Sequence, residues 1–338
     1  MFRKRQLNEE NATACPPTTP CVCSSNETST SAPITLKFLV PELGYADFKT
    51  MLTQVAEKYQ RISEKPYDIQ IIGVNELSIL AKEVLFDVKS KAGQFDGYII
   101  NPVSLGEIAS VDGFYDMTAT TRNYKRNPNQ WLDILPFYRE DISTYDGNVL
   151  LTPFDGDVFS MFFRADLFME HNIPIPKTWD EYISAAKYFH GMEVDVMDPI
   201  TNETTTKTMA GSCYGRIPAC GGAYWAQNIL ASMTQTKGPA TGSLLDTKDL
   251  SSLLGEALEE TLRILEEQAL YGSTDEFDGC TNINFQAMNE GRCALTISWG
   301  NSFTEHTAEG STIVGKLGVA GESQLIVKVD LILTKYFL

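Results

Sequence analysis

Apolar residues in the first half of the chain alternate between strand-like runs and helical stripes. Residues 34–40, 68–74 and 95–100 are short runs rich in β-branched and aromatic residues, a pattern typical of strands. Two stripes at helical spacing separate them: Phe48, Met51, Leu52, Val55 and Tyr59, then Leu77, Leu80, Ala81, Val84, Leu85 and Val88. Strands that alternate with helices predict parallel βαβ units in an open α/β sheet.

Polar side chains follow two of these predicted strands. Glu42 and Tyr45 come directly after the first run, and Asn101 follows the third. In open α/β sheets, ligands bind beyond the carboxyl ends of the strands. We therefore expect these three residues to contribute to a binding site.

The middle of the chain combines two apolar runs with an acidic loop. Residues 150–153 and 158–163 are predicted strands, and Asp155-Gly156-Asp157 lies between them. Carboxylates near buried strands are costly to desolvate unless a partner, such as a ligand, binds them. Asp-Gly is also a common dipeptide in solvated turns, so both interpretations stay open here.

A capped helix follows the acidic loop. Pro174 and Pro176 end the preceding short helix. Residues 178–181, Thr-Trp-Asp-Glu, have the form of a capping box, which predicts a helix start at Thr178. Its expected inner side comprises Tyr182, Ile183, Ala186 and Phe189, with Trp179 as a packing anchor. Beyond it, the pattern predicts helices over 221–234, 249–270 and 285–290, then a strand over 293–299.

Two blocks of sequence carry a resemblance to a known family. Residues 164–168 (RADLF) and 176–181 (PKTWDE) are similar to the R-x-D-L-F helix and P-x-T-W-x-E turn of the bacterial extracellular solute-binding proteins, family 1. These are the sugar-binding components of ABC importers. Residues 285–299 resemble the later F-x-x-G-x-A-M-x-x-x-W segment of the family, and also the ectodomains of algal and protist receptor-type proteins such as receptor cyclases. The resemblance covers residues 34–321.

The resemblance implies the two-lobe periplasmic binding protein type 2 fold, an α/β fold with a central ligand cleft and a two-strand hinge. Residues 1–33 are a Ser/Thr/Pro/Cys-rich tail or stalk. We then expect lobe one over 34–150, a mostly helical lobe two over 151–292, and a return crossing with part of lobe one over 293–338. The crossings are expected at 150–153 and 293–299. Because residues 323–338 depart from the family pattern, we expect an incomplete first lobe and a working molecule that extends beyond this chain.

The resemblance also implies a function. The expected activity is non-catalytic binding of a small polar solute, a sugar or oligosaccharide, for transport or sensing. Family positions match Asp157 to an acidic ligand-binding residue and Trp299 to an aromatic platform. The full set of expected ligand-binding residues is Glu42, Tyr45, Asn101, Asp155, Asp157, Tyr224, Trp225 and Trp299. Alternatives are a polyamine or other small cation on the same fold, or a hydrolase whose acid/base groups would be Glu42, Asp155 and Asp157.

Composition narrows the partners. The formal net charge is −17, which argues against nucleic acid because phosphate binding needs a basic footprint. The three histidines, at 171, 190 and 306, lack the spacing of paired metal ligands, so neither a metal nor a cofactor is expected. The remaining expected partner is a membrane transporter or a fused membrane signalling region.

Cysteine usage and the family suggest an extracellular or periplasm-like location. The pairs Cys213–Cys220 and Cys280–Cys293 each flank a short segment, so both are candidate disulfides. The amino terminus shows no apolar signal-peptide core after its first basic residues.

Overall fold

The computed structural model describes residues 32–42, 45–63, 66–75, 77–122, 130–154, 156, 158–217, 222–235, 242–277 and 282–321. The chain divides into two compact units, the first ending at Gly156 and the second starting at Asp157. The strands are β1 (Ile34–Pro41), β2 (Tyr67–Val74), β3 (Gly97–Tyr98), β4 (Thr144–Tyr145), β5 (Asn148–Val149), β6 (Phe159–Arg164), β7 (Glu193–Met197), β8 (Thr204–Thr208), β9 (Ala210–Ser212), β10 (Cys293–Trp299) and β11 (Leu317–Gly321). The α-helices are α1 (Tyr45–Ser63), α2 (Leu77–Ser90), α3 (Leu105–Ala109), α4 (Thr118–Thr121), α5 (Ala165–Glu170), α6 (Trp179–Phe189), α7 (Ala223–Thr234), α8 (Gly255–Ala269), α9 (Asn282–Asn289) and α10 (Ser302–His306).

The first unit contains a parallel sheet in the order β2-β1-β3. This confirms the βαβ pattern expected from the sequence. The predicted strand over 95–100 is shorter in the structure: β3 comprises Gly97 and Tyr98, and the flanking Asp96 and Ile99 also donate backbone N–H groups to β1. The core between sheet and helices is small and consists of Leu39, Leu80, Val84, Leu85 and Ile108.

Helix α1 forms as predicted, but its apolar stripe is only partly covered. Val55 is 45% exposed and Tyr59 is 58% exposed, although both lie on the apolar face that the pattern predicted. Periodicity identifies which side chains share a face of a helix. It carries no information on how much protein lies against that face, so the stripe alone cannot predict burial.

The predicted strand over 150–153 is wrong. Leu150 and Leu151 both donate their backbone N–H groups to the carbonyl of Ser143, next to the β4-β5 hairpin. Pro153 has no N–H group with which to continue a ladder. Apolar composition suggested a strand there, but the N–H groups of Leu150 and Leu151 donate to Ser143 instead of to a neighbouring strand. The division between units falls at 156/157.

The second unit contains a four-stranded sheet in the order β11-β6-β10-β9, together with the β7-β8 hairpin. Strand β6 is antiparallel to β10 and β11, and β9 is parallel to β10. The unit therefore combines a mixed sheet with helices. Residues 293–321 belong to this unit, whereas part of the first lobe was expected from residue 293 onward. Residues 322–338 lie outside the described part.

The capped helix is confirmed as α6. Thr178 accepts a hydrogen bond on Oγ1 from the Glu181 N–H at 3.2 Å. The Glu181 carboxylate accepts in turn from the Lys177 N–H at 2.7 Å, so the two side chains satisfy backbone donors at the helix start. Trp179 is buried as expected, and its indole N–H donates to Ser232 Oγ at 3.0 Å.

The expected disulfide pairing is wrong, because Cys213 bonds to Cys293 across 80 residues of sequence. Strands β9 and β10 run side by side, with Ala210 opposite Cys293 in the register. Sheet pairing therefore brings together two cysteines that sequence proximity assigned to different bridges. Cys220 and Cys280 lie outside the described residues.

Candidate functional site

At one edge of the sheet in the second unit, the carboxyl ends of two strands flank the start of a third. Trp299, the last residue of β10, lies opposite Phe159, the first residue of β6. Gly321, at the end of β11, lies opposite Ser160. Because β9 is parallel to β10, it points toward the same edge. The carboxyl ends of β10 and β11 thus lie where the chain enters the second unit, while β9 stops level with Leu295 of β10. This is the type of edge at which α/β proteins bind ligands.

Four aromatic side chains, which we call the aromatic platform, cluster at this edge: Phe159, Tyr224, Trp225 and Trp299. The ring centroids of Phe159 and Trp299 are 5.1 Å apart, and those of Tyr224 and Trp299 are 5.7 Å apart. Trp225 lies 5.4 Å from Phe159 and 5.8 Å from Trp299. These separations fall within the range at which aromatic pairs attract one another.

The members of the platform differ in their access to solvent. Tyr224 is 41% exposed, Trp299 and Phe159 are half-buried, and Trp225 is only 2% exposed. Trp225 donates its indole N–H to the carbonyl of Gly215 at 3.1 Å and stacks on Tyr214. Direct ligand contact by Trp225, expected from the sequence, does not fit this burial. Its ring contacts those of Phe159 and Trp299 from the buried side.

Helix α7 explains how adjacent residues come to have different roles. Tyr224 and Trp225 are its second and third residues, and consecutive helical side chains point about 100° apart. One ring therefore faces outward while the next enters the core. Close packing at the helix start requires glycine, since a Cβ on Gly222 would lie 2.9 Å from the carbonyl oxygen of Arg216.

Backbone contacts hold the end of β10 in place beside the platform. Ser302 donates its hydroxyl to the carbonyl of Trp299 at 2.6 Å. The next residue, Gly300, donates its N–H to the carbonyl of Val158 at 2.8 Å. The end of β10 is thus held by Ser302 of α10, which follows it, and by Val158, which directly precedes β6.

Of the eight residues expected at the site, the structure brings together Tyr224, Trp225 and Trp299. Asp155 and Asp157 lie outside the described residues. The other three belong to the first unit and stay predictions. Glu42 is exposed just after β1, and Tyr45 begins α1. Asn101 uses its side-chain oxygen to cap a 3₁₀ turn, accepting from the Val103 N–H at 3.0 Å.

Sequence reasoning missed two residues of the site. Phe159 lies within the run assigned to a strand, where nothing distinguished it from core residues such as Met161 and Phe163. Tyr214 follows Cys213 in a segment without periodic pattern. Its ring stacks on Trp225 at a centroid distance of 4.9 Å, a contact that depends on the fold of β9 and α7 together.

The electrostatics behind the platform are those of a buried polar network. The Tyr182 hydroxyl shares a hydrogen bond of 2.6 Å with Ser212 Oγ, and burial raises the pKa of Tyr182 above its ordinary value. Burial also raises the pKa of Glu276, against the opposing effect of the Arg216 guanidinium. Within the described ranges, no group of three or more His, Cys, Asp or Glu side chains is placed to hold a metal ion. In the same ranges, no helix has the length and apolarity of a membrane span.

No protein-family model matches the chain. No curated protein matches it significantly in sequence.

Solved structures, in contrast, are similar to it. An ABC transporter solute-binding protein from Agrobacterium radiobacter, in complex with ribitol, has a TM-score of 0.65 and 19% identity, over 88% of this chain and 69% of that one. One from Agrobacterium vitis with bound D-mannitol has a TM-score of 0.58 and 18% identity, over 85% and 63%. A maltose-bound protein from T. maritima has a TM-score of 0.58 and 17% identity, over 85% and 66%.

The chain thus spans roughly two thirds of the length of these proteins, between 63% and 69% in the three comparisons. At such low identity the likeness concerns the fold. This chain has the α/β fold of the ABC transporter solute-binding proteins.

Proposed function

We propose that the protein binds a small polyol or sugar without chemical turnover, and that the aromatic platform is the surface on which the solute rests. The observation that carries the proposal is the partial exposure of Tyr224 and Trp299 at the carboxyl ends of the strands. The likeness to structures with bound ribitol, D-mannitol and maltose supports a solute of this class.

The chemistry of the platform suits such a solute. A polyol or sugar presents C–H groups that pack on an aromatic ring, and hydroxyl groups that need polar partners. Trp299 and Tyr224 supply ring surface, and the Tyr224 hydroxyl can donate or accept a hydrogen bond. We assign further polar contacts to Asp155 and Asp157, which come shortly before β6 in the sequence.

The biological role that fits this proposal is solute capture in an extracellular or periplasm-like space. The captured solute would pass to a membrane transporter or be reported by a membrane signalling region. The disulfide between Cys213 and Cys293 supports an oxidising compartment.

Isothermal titration calorimetry with ribitol, D-mannitol, maltose and raffinose tests the proposal. We expect at least one of the four to bind, and Tyr224→Ala to weaken its binding about tenfold, since an aromatic anchor contributes on the order of 1–2 kcal/mol. Tyr188→Ala is the matched control, because Tyr188 is a similarly exposed tyrosine (48%) on helix α6. It should leave Kd unchanged.

Two outcomes would contradict the proposal. Equal Kd values for the two tyrosine variants would remove the platform from the site. Product formation from the bound solute, followed by NMR, would favour the hydrolase alternative instead.

A cation is the second candidate solute, and two observations favour testing it. The chain carries a net charge of −17, and a half-buried Trp face such as that of Trp299 attracts cations through its π system. Spermidine is therefore included in the same titration. Binding of spermidine but of no sugar would replace the polyol as the ligand class.

A further inference from the structure

A buried carboxylate lies behind the aromatic platform, in the loop after α8. Glu276 is only 2% exposed. Its Oε1 accepts from the backbone N–H of Tyr214 at 3.2 Å and from that of Ser273 at 3.2 Å. Its Oε2 accepts from Nε of Arg216 in a short ion pair. Each of these contacts is made by a carboxylate oxygen of Glu276. An apolar side chain of similar size at this position would make none of them.

Arg216 completes a clamp between two segments of chain. Its backbone N–H donates to the Glu276 carbonyl at 2.7 Å, and both of its terminal nitrogens lie 3.4 Å from the carbonyl of Leu265 on α8. The glycine at 272 permits the close approach, since a Cβ there would lie 2.5 Å from the Glu276 carboxylate. The segment 214–216 is thus tied to the end of α8 and to the loop that follows it.

The clamped segment touches the platform directly. Tyr214 stacks on Trp225 with an interplanar angle of 17°, and the carbonyl of Gly215 accepts the indole N–H of Trp225 at 3.1 Å. Trp225 in turn contacts Phe159 and Trp299. A displacement of segment 214–216 would therefore reach the exposed rings through a single intervening side chain.

Energetics point to a positioning role for the pair. Buried ion pairs are often no more stabilising than well-packed apolar residues of the same volume. Their directional hydrogen bonds, however, fix the geometry of the groups around them. In the Glu276–Arg216 pair, one such hydrogen bond is accepted by Glu276 from the backbone N–H of Tyr214. The ring of that same residue stacks on Trp225.

We propose that Glu276 and Arg216 are positioning residues of the solute site, which set the orientation of the aromatic platform and hence its affinity without touching the solute. This inference rests on the proposed function. It adds two residues that lie one layer behind the platform and that the sequence pattern did not reveal.

Glu276→Gln tests the proposal, because glutamine keeps an oxygen for the backbone donors but loses the charge that holds Arg216. The matched control is Asp166→Asn, which removes the carboxylate partner of another buried arginine of the same unit, Arg164. Two readouts are used on the full chain: Kd for D-mannitol or whichever polyol binds, and the near-UV circular dichroism of the coupled aromatic rings without solute.

We expect Glu276→Gln to raise Kd about tenfold and to reduce the near-UV signal, while Asp166→Asn changes neither. Unchanged Kd and spectrum in folded Glu276→Gln, or equal changes in the control, would overturn the proposal. If Glu276→Gln does not fold, Arg216→Lys decides by the same criteria, since it keeps the charge but loses the fork of donors. If the wild type binds no polyol, the proposed function fails, and the near-UV comparison alone still decides whether the pair orients the platform.

Discussion

The two units differ in how completely they bury their apolar residues. In the second unit, strand β6 is covered on both faces, since Met161 and Phe163 pack in one hydrophobic cluster and Phe162 in another. In the first unit, none of the α1 side chains that the structure describes is buried, and strand β2 has none either. The same kinds of sequence pattern thus lead to two different cores. The core of the second unit covers both faces of its central strand, and we call it the thick core; the core of the first unit leaves α1 and β2 largely uncovered, and we call it the thin core.

This difference teaches what an apolar pattern requires in order to stabilise a fold. A strand or helix gains stability from the area that its partners cover, at roughly 25 cal/mol per Å². Pattern alone creates a face that could be covered. We therefore expect substitutions at equivalent positions to have large effects in the second unit and small ones in the first.

The largest effect is expected from truncation in the thick core. Phe189→Ala in α6 should lower the free energy of unfolding by about 3–5 kcal/mol, since its ring is fully buried. Phe86→Ala in α2 is the matched change in the first unit, where the ring is 61% exposed, and should cost less than about 1 kcal/mol. Urea unfolding followed by tryptophan fluorescence and far-UV circular dichroism measures both. Equal losses would break the comparison.

A smaller effect is expected from the disulfide. Within the described part of the chain, its two cysteines both belong to the second unit. Replacing both Cys213 and Cys293 by alanine should lower the stability of that unit by about 2–4 kcal/mol, because the bond closes a long loop in the unfolded chain. The measurement is denaturant unfolding of the two proteins. Non-reducing peptide mapping provides the independent check, and a Cys213–Cys220 peptide would contradict the structure.

Acid sensitivity of the second unit is expected next. His306 is buried, and burial lowers its pKa from 6.5 to about 4. Between these values the unfolded chain binds a proton that the folded chain excludes, so stability falls as the pH is lowered from 6.5 toward 4. The loss attributable to His306 is on the order of 2–3 kcal/mol.

His306→Gln tests this effect by removing the titrating ring. Its unfolding free energy should depend less steeply on pH between 4 and 6.5 than that of the wild type. His190→Gln is the matched control at an exposed histidine of the same unit. An unchanged slope in His306→Gln would refute the assignment.

The smallest effect is expected on the exposed stripe of α1. Tyr59→Ser should change stability by no more than about 0.5 kcal/mol, because the ring is already mostly in solvent. Thermal unfolding of this variant beside the wild type measures the change. A loss above about 1 kcal/mol would mean that the stripe is covered in solution, and would remove the contrast between the units.

Much of the fold could be predicted from the sequence, for physical reasons that particular elements illustrate. Helix α6 was predictable because its cap and its apolar face are both local: the hydrogen bond that the Glu181 N–H donates to Thr178 Oγ1 spans three residues. The disulfide was not predictable, since the partners meet only after β9 and β10 pair across 80 residues.

The site shows the same division between local and non-local information. Trp299 and Tyr224 could be named because each ends a strand or begins a helix. The burial of Trp225, one residue further along, depends on Tyr214 and Gly215, which lie in the segment that follows β9. Likewise, the apolar composition of residues 150–153 suggested a strand, but the hydrogen bonds that Leu150 and Leu151 donate to the Ser143 carbonyl cannot be read from composition.

The start of the sheet in the second unit and the end of its last described strand lie side by side. Its sheet begins at Phe159 and its last described strand ends at Gly321, directly across from Ser160. The start of the sheet and the end of its last described strand are therefore neighbours, about 5 Å apart for paired antiparallel residues. A segment whose two ends are close together can be inserted into a surface loop of a host protein without separating the residues that flank the insertion point. Residues 157–321 could thus be transplanted as a cassette, with a fluorescent protein as host, so that solute binding at the rim beside the splice points alters the emission.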